Sequence, residues 1–157
     1  MPRSPLQLFC LLAAVASAAQ ANSVKGSIEL SGTRIEPRHV YLVKGPDSFE
    51  PQRIERRLVF SVDDIGGALA KCATMACTES ALTQGMTLDL DGMPLEYWIV
   101  TPKKQHSGPA KPAALTATAD EAKRVAGRFR VEGNASGVPA IDLEFDATLL
   151  KELAKAR

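Results

Sequence analysis

The chain has 157 residues, 45% of them hydrophobic and 24% charged, which suits one domain with a modest core. Of its 19 Lys and Arg only Arg3 precedes Lys25, so the remainder balance the 18 Asp and Glu. Such neutrality offers no basis for electrostatic binding to nucleic acid, which shows as a basic excess on one face; Lys103-Lys104 is only a small local patch.

Residues 1–21 read as a secretory signal. Leu6–Val15 is apolar apart from Gln7 and too short to span a bilayer, which takes about 20 residues. Two A-x-A sites follow, Ala16-Ser17-Ala18 and Ala19-Gln20-Ala21. Cleavage near Ala21 is preferred over an uncleaved anchor, because strand-like sequence begins at Ser23. Cys10 lies inside the apolar run behind bulky Phe9, where a lipobox wants a small residue, and is assigned to the signal. No later segment is long or apolar enough to cross a membrane. The expected location is periplasmic or secreted, with 22–157 forming one domain. Two cysteines then remain, Cys72 and Cys77, and an even count in an exported chain points to a disulfide. The C-x4-C loop is small, contributes about 2 kcal/mol and pins a local turn. A thioredoxin-like role needs C-x-x-C and is unsupported.

Ser23–Leu30 alternates with period two, as a strand with one buried face does, and Ser31-Gly32 marks a turn. Arg38–Lys44 is a second strand with Val40 and Leu42 inward, and His39, Tyr41 and Val43 on the other face. Pro46 and Pro51 hold the next segment as loop. Ile54–Val62 is a third strand, with Leu58, Phe60 and Val62 inward and Arg56 at its solvated end. An insertion near 63–84 follows. Asp64 is a helix N-cap candidate, Ile65, Ala68, Leu69, Cys72 and Ala76 recur at helical spacing, and Gly66-Gly67 makes the helix short or distorted. A further helical turn is expected at Ser80–Gln84.

Met86–Asp91 alternates cleanly. Asp91-Gly92 predicts a two-residue hairpin turn, in which Leu90 faces Met93, Leu88 faces Leu95 and Met86 faces Tyr97. Pro94 then belongs on an edge strand or beside a bulge. Trp98 falls on the opposite face with Glu96 and Val100. Pro102–Pro112, with three prolines and three lysines, predicts an exposed loop. Leu115–Ala119 is a weak strand. Arg124–Ala147 is the clearest hairpin: Val125, Gly127, Phe129 and Val131 share one face, as do Ile141, Leu143 and Phe145. Its register sets Arg130 against Asp142, Arg128 against Glu144 and Phe129 against Leu143. Thr148 then caps an expected C-terminal helix, Leu149–Ala156, with Leu149, Leu150 and Leu153 as its stripe.

About eight strands with regular turns and little helix predict a mainly β fold, a single antiparallel β-sandwich, with an immunoglobulin-like form and a flattened barrel as the variants. The Cys…Trp…Cys spacing of antibody domains is absent. V-A-G-R-F at Val125–Phe129 with D-L-E-F-D-A at Asp142–Ala147 resembles the C-terminal end of small exported bacterial β-sandwich proteins of unassigned function. The resemblance covers about a sixth of the chain. It implies export and a β fold and supplies no catalytic residue.

Four chemistries compete on the remaining residues. Cys72-x-x-Met75-x-Cys77, with Met86, Met93, His39 and His106, offers soft ligands suited to Cu(I), against a plain disulfide beside a packed methionine. Asp89-Leu90-Asp91-Gly92 has the core of a calcium loop, but lacks the remaining ligands and reads better as a hairpin turn. Catalysis would need His39 or His106 as base, or a carboxylate pair such as Asp89 and Glu96, and no hydrolase, P-loop or dinucleotide fingerprint occurs. Tyr41 and Trp98, if exposed with His39 and Glu96, form a recognition patch, since aromatics anchor interfaces; the alternative is that the helical insertion covers them as a second core. The expectation is an exported, non-enzymatic binding protein of the bacterial envelope with a protein partner and no cofactor or metal. A copper or small-ligand binder at Cys72–Cys77 and an unrecognised hydrolase are the alternatives.

Overall fold

The computed structural model describes residues 22–157, so the expected leader, its cleavage near Ala21 and Cys10 lie outside the described residues. The fold is mainly β. Its strands are β1 (Ser23–Leu30), β2 (Thr33–Ile35), β3 (His39–Pro46), β4 (Ile54–Ser61), β5 (Gly85–Asp89), β6 (Leu95–Val100), β7 (Gln105–Ala110), β8 (Leu115–Glu121), β9 (Arg124–Val131) and β10 (Ala140–Glu152). Two six-residue helices, α1 (Gly66–Lys71) and α2 (Met75–Ser80), lie between β4 and β5, and one 3-10 turn, Pro112–Ala114, precedes β8. Among the described residues no helix is long and apolar enough to cross a membrane.

The strands do not form the two separate layers of a sandwich. They make one curled mixed sheet, a half-barrel, with main path β2-β1-β10-β3-β4-β5-β6-β7. The cause is the length of β10. Its first part lies between β1 and β9, antiparallel to both, and its last residues run parallel to β3, with Leu149 opposite Leu42 and Glu152 opposite Lys44. One strand therefore joins what a sandwich would keep apart. β9 branches from β10 and carries β8.

That pairing replaces the expected C-terminal helix. An eight-residue helix is marginal in water, whereas as a strand the segment pairs with the edge of β3 through Leu149, Lys151 and Glu152, and the Leu153 N–H donates to the Lys44 carbonyl at 2.7 Å. A register shift between Leu149 and Lys151 then carries Leu153 to the opposite face of the sheet. Thr148 caps no helix; its N–H and hydroxyl both donate to Asn22 Oδ1, at 2.9 and 2.8 Å.

Local signals fared better. Ser31 and Gly32 both have positive φ, +50° and +79°, and close β1 onto β2. Gly26, at φ +116°, lets β10 approach: a Cβ there would fall 1.9 Å from the carbonyl oxygen of Asp142. The β9–β10 register is the expected one, with Arg130 opposite Asp142, Arg128 opposite Glu144 and Phe129 opposite Leu143. The ion pairs run diagonally instead, Arg128 gripping Asp142 and Arg124 gripping Asp146 with two bonds each.

Two further expectations fail on tertiary grounds. The segment expected to be loop contains β7. As the last strand of its path, β7 needs a partner on one side only, so Pro109 is tolerated. The β5–β6 register is offset by two residues from the tight-turn expectation, with Leu88 opposite Tyr97 and Asp89 opposite Glu96. Asp91 makes no two-residue turn; its carboxylate accepts from the Arg56 N–H and guanidinium, and the connection to β6 runs on to Pro94.

Two cores result. Inside the curl lie Ile28, Leu42, Leu58, Phe60, Met86, Leu88, Ile99, Phe129, Leu143 and Phe145. Across the sheet a second core joins Tyr41, Val43 and Val59 to Leu69, Cys72, Met75, Leu82 and Leu153. The insertion is thus a cover for the outer face of β3 and β4. Cys72 and Cys77 are disulfide-bonded, Cα–Cα 5.5 Å, and clamp α1 to α2. The expected helical turn at Ser80–Gln84 is not formed, since α2 ends at Ser80. Asp64 is not a side-chain N-cap; its Oδ1 accepts from the Tyr41 hydroxyl at 2.7 Å and from Gly66 N–H at 3.0 Å. Replacing both cysteines by serine is expected to lower stability by about 2 kcal/mol in urea unfolding while leaving the sheet's far-UV circular dichroism unchanged. Loss of the β signal would show that the clamp organises more than the insertion.

Candidate functional site: an acidic cleft with aromatic walls

Because side chains alternate along strands, every second residue of β4, β5 and β6 shares the outer face. One transverse row is Arg57, Asp89 and Glu96; the next is Val59, Thr87 and Trp98, with Ser107 beyond. The insertion covers the β3–β4 end of these rows. Between α2 and the loop after β3 the face stays open as two adjoining hollows, of about 230 and 260 Å³, which share Asp47, Phe49, Glu55, Asp89 and Glu96.

The floor is held by Arg57, 6% exposed. Its Nε and Nη2 donate to the two Asp89 oxygens at 2.5 and 2.8 Å, and its Nη1 donates to Glu79 of α2 at 2.8 Å. Burial alone would disfavour the charged guanidinium, but Asp89 and Glu79 outweigh it and hold the proton more firmly than usual. The loop wall is built by Asp47. Its Oδ1 accepts from the N–H groups of Phe49 and Glu50, both at 2.7 Å, and its Oδ2 from Arg53 at 2.7 Å. Burial works to raise the Asp47 carboxyl, but these donors prevail and hold it below the ordinary range. The turn they close leaves the Phe49 ring 84% exposed at the rim. The guanidinium of Arg157 sits over that ring, 5.7 Å from its centroid.

Glu55 is the unusual group. It is 1% exposed, accepts from Asp91 N–H at 2.7 Å through Oε1, and has Arg53 3.4 Å from Oε2. Burial, with the negative charges of Asp89 and Asp91, pushes its carboxyl up to about 7, against the opposing pull of the Asp91 N–H and Arg53.

Of the residues expected to form a patch, the cleft contains Trp98 and Glu96 and not Tyr41 or His39. Tyr41 belongs to the second core, where its hydroxyl donates to Asp64 and accepts from Ile65 N–H, and burial with the Asp64 contact pushes its phenol up to about 12. His39 stacks on Tyr41 at 6.3 Å. The four residues therefore do not make one surface: the insertion takes Tyr41 and half-covers Trp98. Asp89 and Glu96 are directly opposite, but Asp89 is neutralised by Arg57. The soft-ligand set is dispersed. Both cysteine sulfurs are bonded to each other, Met86 lies in the inner core and Met93 is 91% exposed. Among the described residues no three His, Cys, Asp or Glu side chains are grouped to hold a metal ion.

Phe49, Glu55 and Arg57 were not singled out from sequence. One signal was available. A strand flanked by apolar neighbours and bearing Glu55 and Arg57 on the face opposite Leu58 and Phe60 carries charges that must be paired if that face is covered. No family model, no curated protein and no solved structure matches this chain.

Proposed function

We propose that the protein is an exported, non-enzymatic binding protein of the bacterial envelope, and that its recognition site is the outer-face cleft bounded by Trp98, Glu96 and Phe49. The observation that carries this reading is an open hollow with two aromatic walls over a floor locked by the Arg57–Asp89–Glu79 pairs. A concave site whose polar groups are already positioned loses little order on binding. The disulfide supports an oxidising compartment. The copper alternative is weakened by the same bond, which leaves no thiolate at Cys72 or Cys77.

In a pull-down from envelope extract, Trp98→Ala should reduce capture of the partner tenfold or more, by analogy with interface anchors worth ~1.4 kcal/mol or above. Tyr41→Phe, away from the cleft, should capture normally. Equal capture by wild type and a folded Trp98→Ala protein would remove the cleft from consideration.

A further inference from the structure

We infer that the cleft receives an arginine side chain from a protein partner, and that Arg157 acts as its intramolecular competitor. The inference rests on the reading of the cleft as the recognition site and names what that site selects. Six carboxylates border the two hollows, Asp47, Glu50, Glu55, Glu79, Asp89 and Glu96, against two guanidinium groups, Arg53 and Arg57. Both cations are committed, Arg57 to Asp89 and Glu79 and Arg53 to Asp47. Glu96 is exposed beside Trp98 on the same strand face and has no ion-pair partner among the described residues. An anion entering here would meet uncompensated carboxylates, and an uncharged apolar group would desolvate them without repayment. A planar cation gains on both counts: it can accept the free Glu96 charge as partner and stack on an aromatic face.

An independent observation shows the same preference. The chain already lays a guanidinium, that of Arg157, over the exposed ring of Phe49 at the cleft rim. The segment carrying it is fastened to α2, since Met75 and Ala76 N–H donate to the carbonyls of Lys155 and Ala156 at 3.0 Å each. Arg157 is thus held close to a ring that an incoming arginine would also use. Hollows of about 230 and 260 Å³ suit a side chain rather than a folded domain.

Trp98 fluorescence provides the test, with the folded protein titrated at low salt by two blocked pentapeptides, Gly-Arg-Gly-Arg-Gly and Gly-Glu-Gly-Glu-Gly. Saturable binding of the arginine peptide alone is expected. It should weaken several-fold in Glu96→Gln and in Phe49→Ala, both exposed positions that leave the cores intact. It should strengthen about two- to five-fold in Arg157→Ala, the factor an exposed cation–π contact represents. Free arginine amide, run in parallel, should bind more weakly than the peptide if the source is a chain. Absence of saturable binding in wild type and Arg157→Ala, or binding indifferent to Glu96→Gln and Phe49→Ala, would overturn the inference. A Trp98-dependent partner recovered from extract alongside a silent arginine peptide would reject the arginine preference and leave the recognition site standing.

Discussion

Arg57→Ala should lower the unfolding free energy by about 3–5 kcal/mol, the usual consequence of removing one member of a buried ion pair. For a domain of this size the melting temperature should fall by about 10–20 °C. The physical reason lies less in the attraction lost than in the charge left behind. Asp89 and Glu79 would remain on a partly buried face that already holds Glu55, with no cation between them. Arg57 also ties the insertion to the sheet, because Asp89 belongs to β5 and Glu79 to α2. Its removal should therefore loosen α2 first, visible as faster amide exchange at Thr78 and Glu79. Arg57→Lys keeps the charge but cannot grip both Asp89 oxygens, and should fall between the two. Arg57→Met combined with Asp89→Leu should lose much less than the sum of the single changes, since the stranded carboxylate is gone. An Arg57→Ala protein within about 1 kcal/mol of wild type would show that water reaches Asp89 freely and that the floor of the cleft is not a dry ion pair.

Glu55→Gln should stabilise the protein, and only above mildly acidic pH. The Glu55 carboxyl is raised from 4.5 to about 7 in the fold. At pH 4 the group is largely protonated, folded or unfolded, and contributes little either way. Between 4.5 and 7 the unfolded chain ionises while the folded chain keeps its proton, so stability from this group declines as pH rises. Above about 7 the folded protein must carry a buried carboxylate, and the full penalty applies, about 3 kcal/mol at 1.36 kcal/mol per unit. The amide of glutamine still offers an oxygen to Asp91 N–H and carries no charge, so the penalty should vanish. Urea unfolding of both proteins at pH 4, 6 and 8 measures the difference. Asp47 and Asp91 have lowered values and lose stability in the opposite sense as pH falls, so the difference between the two proteins, not the wild-type curve, isolates Glu55. A gain equal at pH 4 and pH 8 would mean that shape rather than charge is responsible.

How much of this was legible in the residues varies with the range of the interaction. Period-two alternation located most of the strands, and the β9–β10 register followed because a slip of one residue would turn Phe129, Leu143 and Phe145 to water. The disulfide followed from the pair left, Cys72 and Cys77, once Cys10 was assigned to the expected leader. The site was half legible. Trp98 and Glu96 were placed on one face, and strand parity left two readings open for Tyr41, an exposed patch with them or a second core under the insertion, of which the second holds for Tyr41. Parity says which face a residue occupies but not what lies over it, and here α1 and α2 lie over Tyr41 and stop short of the cleft.

The failures share a cause. Leu149, Leu150 and Leu153 fit a helical stripe, yet Leu149 and Leu150 extend β10 and Leu153 follows just beyond it, because β3 had an edge to fill, a fact of topology with no local trace. Gln105–Ala110 looks like loop and becomes strand because β6 stands beside it. Asp91-Gly92 has the chemistry of a tight turn, but Arg56, 35 positions earlier, draws the Asp91 carboxylate to itself. Local composition thus decided which residues are dry, where the chain reverses and where it is cross-linked, since those depend on neighbours a few residues away. Which strand fills which edge, which carboxylates find an arginine and which stretch of the outer face stays open were decided only when distant segments met, because backbone pairing and charge burial act between groups that the sequence keeps far apart.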